Sequence, residues 1–237
     1  MRRFPLVLLP HAGGSASVFS SIVKCLPEEI QPIPVELPGR GRRWRTDPMT
    51  TIDEALDDLV AEVRGLPGEF AIFGHSLGAC LGLAVAARLE ARGDTRCTTL
   101  FASASAAPSG GRPIFDGSPD RPSDAEILSI AERSGGSVAR EIMEHRLLGE
   151  RTINLLRADF LLYDSFLRKY RRTVTEASIV VCCGTDDVFQ EEQLLRWSRH
   201  TTADSELLRF PGGHFYLADN SNDLAQEIAL RIKRSRD

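Results

Sequence analysis

Long apolar runs are absent from this chain, because no stretch approaches the roughly 20 residues that a membrane-spanning helix needs. Cysteine is scarce as well: there are five, an odd number, and their spacing is not that of metal ligands. They are Cys25, Cys80, Cys97, Cys182 and Cys183. We therefore expect no metal and no other cofactor, no membrane partner, and the reducing cytoplasm as the location.

An excess of positive charge is also lacking, because 33 acidic residues face 29 basic ones and the net charge is −4. This balance argues against a general nucleic-acid binder, which is normally basic. Two arginines precede the apolar run Phe4–Leu9 and superficially resemble the start of a signal peptide. The run is too short for that and leads directly into Pro10–Gly14, so we interpret it as a first buried strand.

Short apolar runs do alternate with helical patterns, which predicts an α/β fold with a mostly parallel, doubly wound sheet. Predicted strands are Phe4–Leu9, Ile30–Glu36, Phe70–Phe73, Thr98–Ser103, Ser178–Cys183 and Glu206–Phe210. Predicted helices between and after them are Val18–Leu26, Ile52–Arg64, Ala79–Arg92, Glu191–His200 and Asn222–Lys233. A chain of 237 residues fits one domain, residues 1–237, with room for one insertion.

The interval from about 108 to 172 breaks this alternation. It opens with a loop rich in proline, glycine and aspartate, and Ser123–Glu126 then forms a capping-box pattern. Helices are predicted at Ser123–Ser134, Ser137–Leu148 and Thr152–Tyr170. Ligands bind at the carboxyl ends of parallel strands in such folds, so we expect this insertion to act as a lid over the site. The alternative is an extra packing layer without a gating role.

The segment Gly74–Gly78 is a Gly-x-Ser-x-Gly pentapeptide between a predicted strand and a helix rich in alanine and leucine. In that position a serine sits on a sharp strand-to-helix turn, and the glycines leave room for its close-packed neighbours. The turn presents the Ser76 hydroxyl above the sheet, next to the first N–H groups of the helix. Ser76 is the predicted nucleophile.

A serine hydroxyl needs a histidine base held by an acid, and in this fold the chain order is Ser, Asp or Glu, His. His11 comes too early for that order, and the side chain of His75 must point away from that of its neighbour. His145 and His200 lie in predicted helices and are expected to face solvent. His214 remains, in a Gly-Gly loop after the last strand.

The acid is expected after the preceding strand, where Asp186 and Asp187 are adjacent. We favour Asp187, which lies three residues beyond Gly184, and interpret Asp186 as a turn residue. An oxyanion requires two backbone donors. The N–H groups of Leu77 and Ala12 are predicted for this role, and the alternative for the loop of Ala12 is a plain Gly-Gly turn.

Several motifs resemble those of the type II thioesterases, which are stand-alone α/β-hydrolase enzymes of polyketide and nonribosomal peptide synthesis. The motifs are Leu9–Ala16, Glu36–Arg43, Gly74–Ala79, Leu156–Phe160 and Gly212–Phe215. The resemblance implies a cytoplasmic, monomeric enzyme that clears acyl groups from the phosphopantetheine arm of acyl carrier proteins or peptidyl carrier domains. It carries the catalytic triad onto Ser76, Asp187 and His214, and the oxyanion donors onto Ala12 and Leu77.

Two departures from the family pattern accompany this resemblance. Val188 follows the predicted acid, where the family often has proline, and the segment before Arg157 lacks an expected proline, which leaves the helix breaks of the insertion open. We expect the motif around Arg157 to fix helix packing, with Phe160 buried and Arg157 paired with a carboxylate.

The strongest local positive charge is in the loop Arg40–Arg45. Arg40, Arg42 and Arg43 are candidates for contacting the pantetheine phosphate or an acidic carrier surface, because guanidinium binds phosphate in a bidentate manner. The alternative is a solvated loop with Trp44 packed beneath it.

The triad would equally serve an esterase or lipase-like enzyme that acts on free oxygen esters or on acyl-CoA. A third possibility is a non-catalytic interaction module of a synthetase complex that has kept the hydrolase fold. The sequence leaves acyl-chain preference and the choice between editing and product release open.

Overall fold

One six-stranded parallel sheet organises the protein in the computed structural model, which describes residues 3–66, 68–94, 96–115, 122–136, 138 and 140–236. The strands are β1 (Phe4–Leu9), β2 (Ile30–Pro34), β3 (Phe70–His75), β4 (Cys97–Ser103), β5 (Ser178–Gly184) and β6 (Ser205–Phe210). Their order across the sheet is β2-β1-β3-β4-β5-β6. Each predicted strand is confirmed, and because all pairs are parallel, the carboxyl ends share one edge.

Strand β2 ends at Pro34 and not at Glu36 as predicted. It is an edge strand, where the missing N–H groups of Pro32 and Pro34 can be tolerated. Beyond its end the Val35 N–H still donates to the Leu8 carbonyl of β1 at 3.0 Å, and a carboxylate oxygen of Glu36 accepts a hydrogen bond from the Ala16 N–H at 3.0 Å.

Helices cover both faces of the sheet, as in doubly wound α/β folds. They are α1 (Ser20–Cys25), α2 (Ile52–Val63), α3 (Leu77–Glu90), α4 (Asp124–Arg133), α5 (Arg140–Glu144), α6 (Arg146–Tyr170), α7 (Glu191–Leu195) and α8 (Ser221–Arg234). Side chains alternate along β1: Leu6 and Leu8 join the core beneath α1 and α8, whereas Val7 and Leu9 join the core beneath α2 and α3.

The insertion between β4 and β5 contains α4, α5 and α6, in the interval where helices were predicted. The capping box of α4 is present: the Ser123 hydroxyl accepts from the Glu126 N–H, and the Glu126 carboxylate accepts from the Ser123 N–H. Ser137, where the next helix was predicted to begin, lies outside the described residues.

The last helix of the insertion is longer than predicted, because α6 begins at Arg146 and not at Thr152. The break that precedes it lies at His145, whose backbone is extended (ψ 100°) and whose side chain accepts a hydrogen bond from the Leu148 N–H. His145 therefore caps α6 instead of continuing a helix through residue 148, while its side chain is exposed as expected.

The expectation that His200 faces solvent is wrong, because its side chain is buried. Its Nδ1 donates to the carbonyl oxygen of Thr173 (2.7 Å), and its Nε2 accepts from the Ser109 N–H (3.1 Å). Burial lowers the pKa of His200, which favours the neutral ring that this pair of bonds requires. Ser109 and Thr173 lie at opposite ends of the insertion, so this one ring joins both ends to the region after α7.

All five cysteines are free thiols, and burial raises the pKa of Cys80 to about 12. Among the residues that the structure describes, no helix combines the length and the apolar character needed to cross a membrane.

Candidate active site

Ser76 occupies a strained turn at the carboxyl end of β3, directly before α3. Its backbone torsions are φ 54° and ψ −112°, a conformation that non-glycine residues rarely adopt. The Ser76 N–H donates to the carbonyl oxygen of Ser103 at the end of β4 (2.7 Å), which ties the turn to the sheet. Ser76 is partly exposed, whereas the side chain of His75 is buried and its Nδ1 lies 2.8 Å from the Ser103 hydroxyl.

The two glycines of the pentapeptide are required by close backbone contacts. A Cβ on Gly74 would lie 2.2 Å from the carbonyl oxygen of Gly78, and a Cβ on Gly78 would lie 2.1 Å from that of Leu9. Neither backbone atom can move without displacing the turn. The glycines therefore allow α3 to start close enough to β1 and β3 to hold Ser76 in its strained conformation.

The side chains of His214 and Asp187 meet at this edge of the sheet. His214 Nδ1 lies 3.1 Å from Asp187 Oδ1, and both side chains are almost fully buried. The same oxygen accepts the Val188 N–H at 2.7 Å, and the Cys183 thiol donates to Asp187 Oδ2 at 3.6 Å. Asp186, by contrast, is exposed. The carboxylate of Asp187 is thus held from three sides, which fixes it opposite the imidazole.

Val188, which stands where the family often has proline, adds a hydrogen-bond donor beside the predicted acid. A proline at this position would have no N–H and could not donate to Asp187 Oδ1. In this chain the Val188 N–H supplies an additional donor to the carboxylate, and the Val188 side chain lines the adjacent pocket.

Backbone contacts bring the loops of the acid and the histidine together. A Cβ on Gly184, at the end of β5, would lie 2.3 Å from the carbonyl oxygens of both Gly212 and Gly213. The Asp186 N–H donates to the Gly212 carbonyl at 2.9 Å. The position of His214 relative to Asp187 therefore depends on glycines in both loops.

A pocket of about 480 Å³ opens beside these groups, within the range of small-molecule sites. Ser76, His214, Leu77 and Ala12 all line it, so the predicted triad members Ser76 and His214 share one cavity with both predicted oxyanion residues. The insertion supplies much of the apolar wall, through Ile114, Ala131, Val138, Ile142, Leu156 and Phe160. An apolar wall opposite a serine and a histidine suits an acyl chain.

His11 and His75 form a cluster of rings with His214. The centroid of the His75 ring lies 5.6 Å from that of His11 and 5.4 Å from that of His214. Burial is the main cause that lowers the pKa of His11 to about 4, and the charges of His214 and Arg40 lower it further. Burial also lowers the pKa of His75 well below its usual value. Both rings are therefore neutral at pH 7 and add no charge beside His214.

The carrier-contact prediction needs correction for Arg40, which is buried. Its guanidinium forms a bidentate ion pair with Asp159 on α6, with both N–O distances at 2.7 Å. Arg43 is also engaged, in a bidentate pair with Asp58 on α2 at 2.6 and 2.7 Å. Arg42 alone of the three has an exposed side chain. The local charge pattern did not reveal these distant carboxylates.

Sequence reasoning also missed two arginines that line the pocket, Arg112 and Arg133. Arg112 lies in the Pro- and Gly-rich loop, where no periodicity indicates an orientation.

The packing role expected for the motif around Arg157 is present: Arg157 pairs with Asp124 at 2.5 Å, and Phe160 is buried. Trp44 is half exposed, with the guanidinium groups of Arg45 and Arg151 over its ring at 4.7 and 5.2 Å, and is not packed beneath the loop.

Comparison with known proteins agrees with this geometry. The thioesterase domain family matches residues 4–233. Thioesterase PikA5 of Streptomyces venezuelae is 30% identical over 230 residues, which are 94% of this chain and 79% of that protein. The structure of RedJ, a thioesterase from the prodiginine pathway of Streptomyces coelicolor, superimposes with a TM-score of 0.82 at 28% identity and covers 96% of this chain and 89% of that one.

The structure of ClbQ, from the colibactin pathway, has a TM-score of 0.84 at 24% identity, with 99% and 98% of the two chains covered, and supports the fold alone. The fold of this chain is the α/β-hydrolase fold, as predicted. With a family match over nearly its whole length, the chain belongs to the thioesterase family and is a hydrolase that acts on thioesters.

Proposed function

We propose that this enzyme hydrolyses acyl groups from the phosphopantetheine arm of carrier proteins in polyketide or nonribosomal peptide synthesis, through Ser76, His214 and Asp187. The observation that carries the proposal is the contact between His214 Nδ1 and Asp187 Oδ1 at a pocket that His214 and Ser76 both line. With its Nδ1 proton donated to the carboxylate, the imidazole has a free Nε2 that can act as a base.

In the acylation step, His214 Nε2 accepts the proton of the Ser76 hydroxyl while Oγ attacks the thioester carbonyl. The N–H groups of Leu77 and Ala12 hold the oxyanion of the tetrahedral intermediate. Leu77 is the first residue of α3, and N–H groups in the first turn of a helix have no partner within the helix. This end of α3 also favours negative charge through the helix dipole.

The leaving group is the pantetheine thiolate, whose conjugate acid has a pKa of roughly 8.5, so it departs more readily than an amine would. Water, activated by His214, then attacks the acyl-serine and releases the carboxylic acid. The buried Asp187 keeps the imidazole in one orientation through both steps and stabilises the imidazolium that forms in each.

Support for carrier-bound substrates comes from similar proteins: RedJ is the thioesterase of the prodiginine biosynthetic pathway, and BorB, which is 28% identical to this chain, is the type II thioesterase of the borrelidin biosynthetic cluster. We place the enzyme in the cytoplasm as a monomer that meets an acyl carrier protein or a peptidyl carrier domain. Arg42 is the exposed member of the arginine loop and is the proposed contact for an acidic carrier surface or for the phosphate.

The test compares kcat/KM for one acyl group presented on a carrier protein, on coenzyme A and as a free oxygen ester. We expect the carrier-bound thioester to be preferred, with release followed by the intact mass of the carrier. Equal or greater kcat/KM on the oxygen ester would instead support a general esterase. Unchanged acyl-carrier mass with every acyl group would support a non-catalytic module.

The matched pair Asp187→Asn and Asp186→Asn tests the choice of the acid. Loss of the buried carboxylate is expected to lower kcat by about 10⁴-fold, as in other serine triads, whereas loss of the exposed one should have little effect. A larger loss for Asp186→Asn would contradict the assignment.

A further inference from the structure

We propose that the buried ion pair between Arg40 and Asp159 is a positioning pair for the reaction, which holds the loop that carries the Ala12 oxyanion donor. This inference rests on the proposed function, because it assigns a task within that mechanism. Both side chains are nearly inaccessible to solvent, with 4% of Arg40 and 1% of Asp159 exposed. Neither belongs to the predicted triad, and they are 119 residues apart in sequence.

The pair holds the loop through groups on two successive residues. Asp159 Oδ2 accepts the Gly13 N–H at 2.6 Å, and Arg40 Nη1 donates to the Gly14 carbonyl at 3.2 Å. Arg40 Nε also donates to the Pro38 carbonyl at 3.3 Å. One planar guanidinium therefore connects the chain after β2, helix α6 and the loop after β1, a geometry that the point charge of a lysine cannot reproduce.

This arrangement explains which amide of the loop is available to the substrate. Gly13 has a positive φ of 77° and its N–H is committed to Asp159. The preceding residue, Ala12, lines the pocket together with Leu77. The Gly13 N–H belongs to the peptide group that follows Ala12. Because the ion pair fixes this group, it limits rotation of the Ala12 N–H away from the position where the oxyanion forms.

A purely stabilising role explains the pair less well. Buried ion pairs contribute little net stability, and replacing both partners by apolar residues is often neutral or favourable. Asp159 also lines the pocket that Ser76 and His214 line. The geometry that the Arg40–Asp159 pair imposes on the loop of Gly13 and Gly14 explains its presence in the pocket wall better than stability does.

The experiment measures kcat and KM with a small soluble acyl thioester, so that carrier docking plays no part. The variants are Arg40→Lys, Asp159→Asn and the apolar double variant Arg40→Met/Asp159→Leu. Because misplacement by 1 Å can cost about 100-fold in rate, we expect kcat to fall by about 10- to 100-fold while KM changes little. Asp58→Asn is the matched control, since it breaks the similar bidentate pair of Arg43 away from the loop.

A pair of ligands then separates positioning from general damage. Ser76 Oγ adds to the carbonyl carbon of an acyl trifluoromethyl ketone, and the resulting oxyanion lies between the Ala12 and Leu77 N–H groups. The corresponding carbinol binds the pocket without reacting. We expect the variants to lose at least tenfold more affinity for the ketone than for the carbinol. Equal losses for both ligands would overturn the proposal.

The double variant keeps the test decisive if the single variants leave a buried charge unpaired and do not fold. Unchanged kcat in a double variant with an unchanged Tm would also overturn the proposal, because the loop would then need no ion pair. Failure of the proposed triad looks different: the wild type itself would neither turn over the thioester nor form the ketone adduct.

Discussion

Neutral His11 in the pocket wall makes the stability of the enzyme depend on pH in a way that can be calculated. Its pKa is about 4 in the folded protein, mainly because burial disfavours the charged ring, against 6.5 for an unperturbed histidine. Between these two values the unfolded chain binds a proton that the folded protein does not bind. Acidification therefore favours unfolding, and this destabilisation grows as the pH falls from 6.5 towards 4.

The magnitude follows from the same two pKa values. At pH 7 the folded state is deprotonated at this site and about a quarter of the unfolded chains are protonated, so the effect on the free energy of unfolding is only about 0.2 kcal/mol. At pH 5 the unfolded state is largely protonated and the folded state is not, so the free energy of unfolding falls by about 2 kcal/mol relative to pH 7. A difference of this size is readily measured by urea denaturation.

The assay compares the wild type with His11→Gln at pH 7 and at pH 5. Glutamine has a similar size and does not titrate, so subtracting the two pH dependences removes the contributions of groups that both proteins share. We expect the wild type to lose about 2 kcal/mol more than the variant. The same pH dependence in both proteins would refute the reasoning and would mean that His11 is charged, or exposed to solvent, in the folded protein near pH 5.

Two further substitutions have expected outcomes. Gly78→Ala places a Cβ 2.1 Å from the Leu9 carbonyl oxygen, so we expect the free energy of unfolding in urea to fall by at least about 1–3 kcal/mol and most of kcat to be lost. In the control Gly65→Ala the new Cβ meets no atom within 4 Å, and we expect neither quantity to change. Arg42→Glu should raise KM for a carrier-bound substrate several-fold and leave KM for a small thioester unchanged, and the same charge reversal at exposed Arg199 should change neither. Equal effects of Arg42→Glu on both substrates would contradict the carrier contact.

The strands and the turn at Ser76 were predictable because their sequence signals are local. The four central strands are short and mostly apolar, and the pentapeptide predicts a turn whose glycines are explained by backbone contacts with Leu9 in β1 and Gly78 in α3. The helix break at His145 was harder to predict from the sequence, because a side chain caps α6 there and no glycine or proline marks the boundary.

The errors concern side chains whose partners lie far along the chain. Arg40 sits in a run of arginines, and only the fold reveals that Asp159 neutralises it while its neighbour Arg42 stays exposed. The sequence around His200 predicts a residue on the surface of a helix. Only the structure shows that its ring is hydrogen-bonded to Ser109 and Thr173, at the two ends of the insertion. Such long-range pairing leaves no periodic trace in a single sequence.

These long-range contacts also divide the insertion into two parts. Helix α6 is fixed to the rest of the protein by the buried Arg40–Asp159 pair and by a hydrogen bond of 3.0 Å from the Ile52 N–H to the Ser165 hydroxyl. It also holds the start of the insertion, because the Asp164 carboxylate accepts the N–H groups of Ile114 and Phe115 at 2.6 and 2.8 Å.

Helix α4 is connected differently. Its ion pair to α6 joins Arg157, whose side chain is 8% exposed, to Asp124, whose side chain is 66% exposed, so only one of the two charges is buried. Its carboxyl end is followed by Gly135, where a Cβ would meet the ring of His214 at 2.8 Å. Movement of α4 would therefore uncover His214, the proposed base, whereas movement of α6 would break the Arg40–Asp159 pair, in which both charges are buried. If the insertion acts as a lid, we expect its moving part to be α4, with α6 as the fixed wall of the acyl pocket.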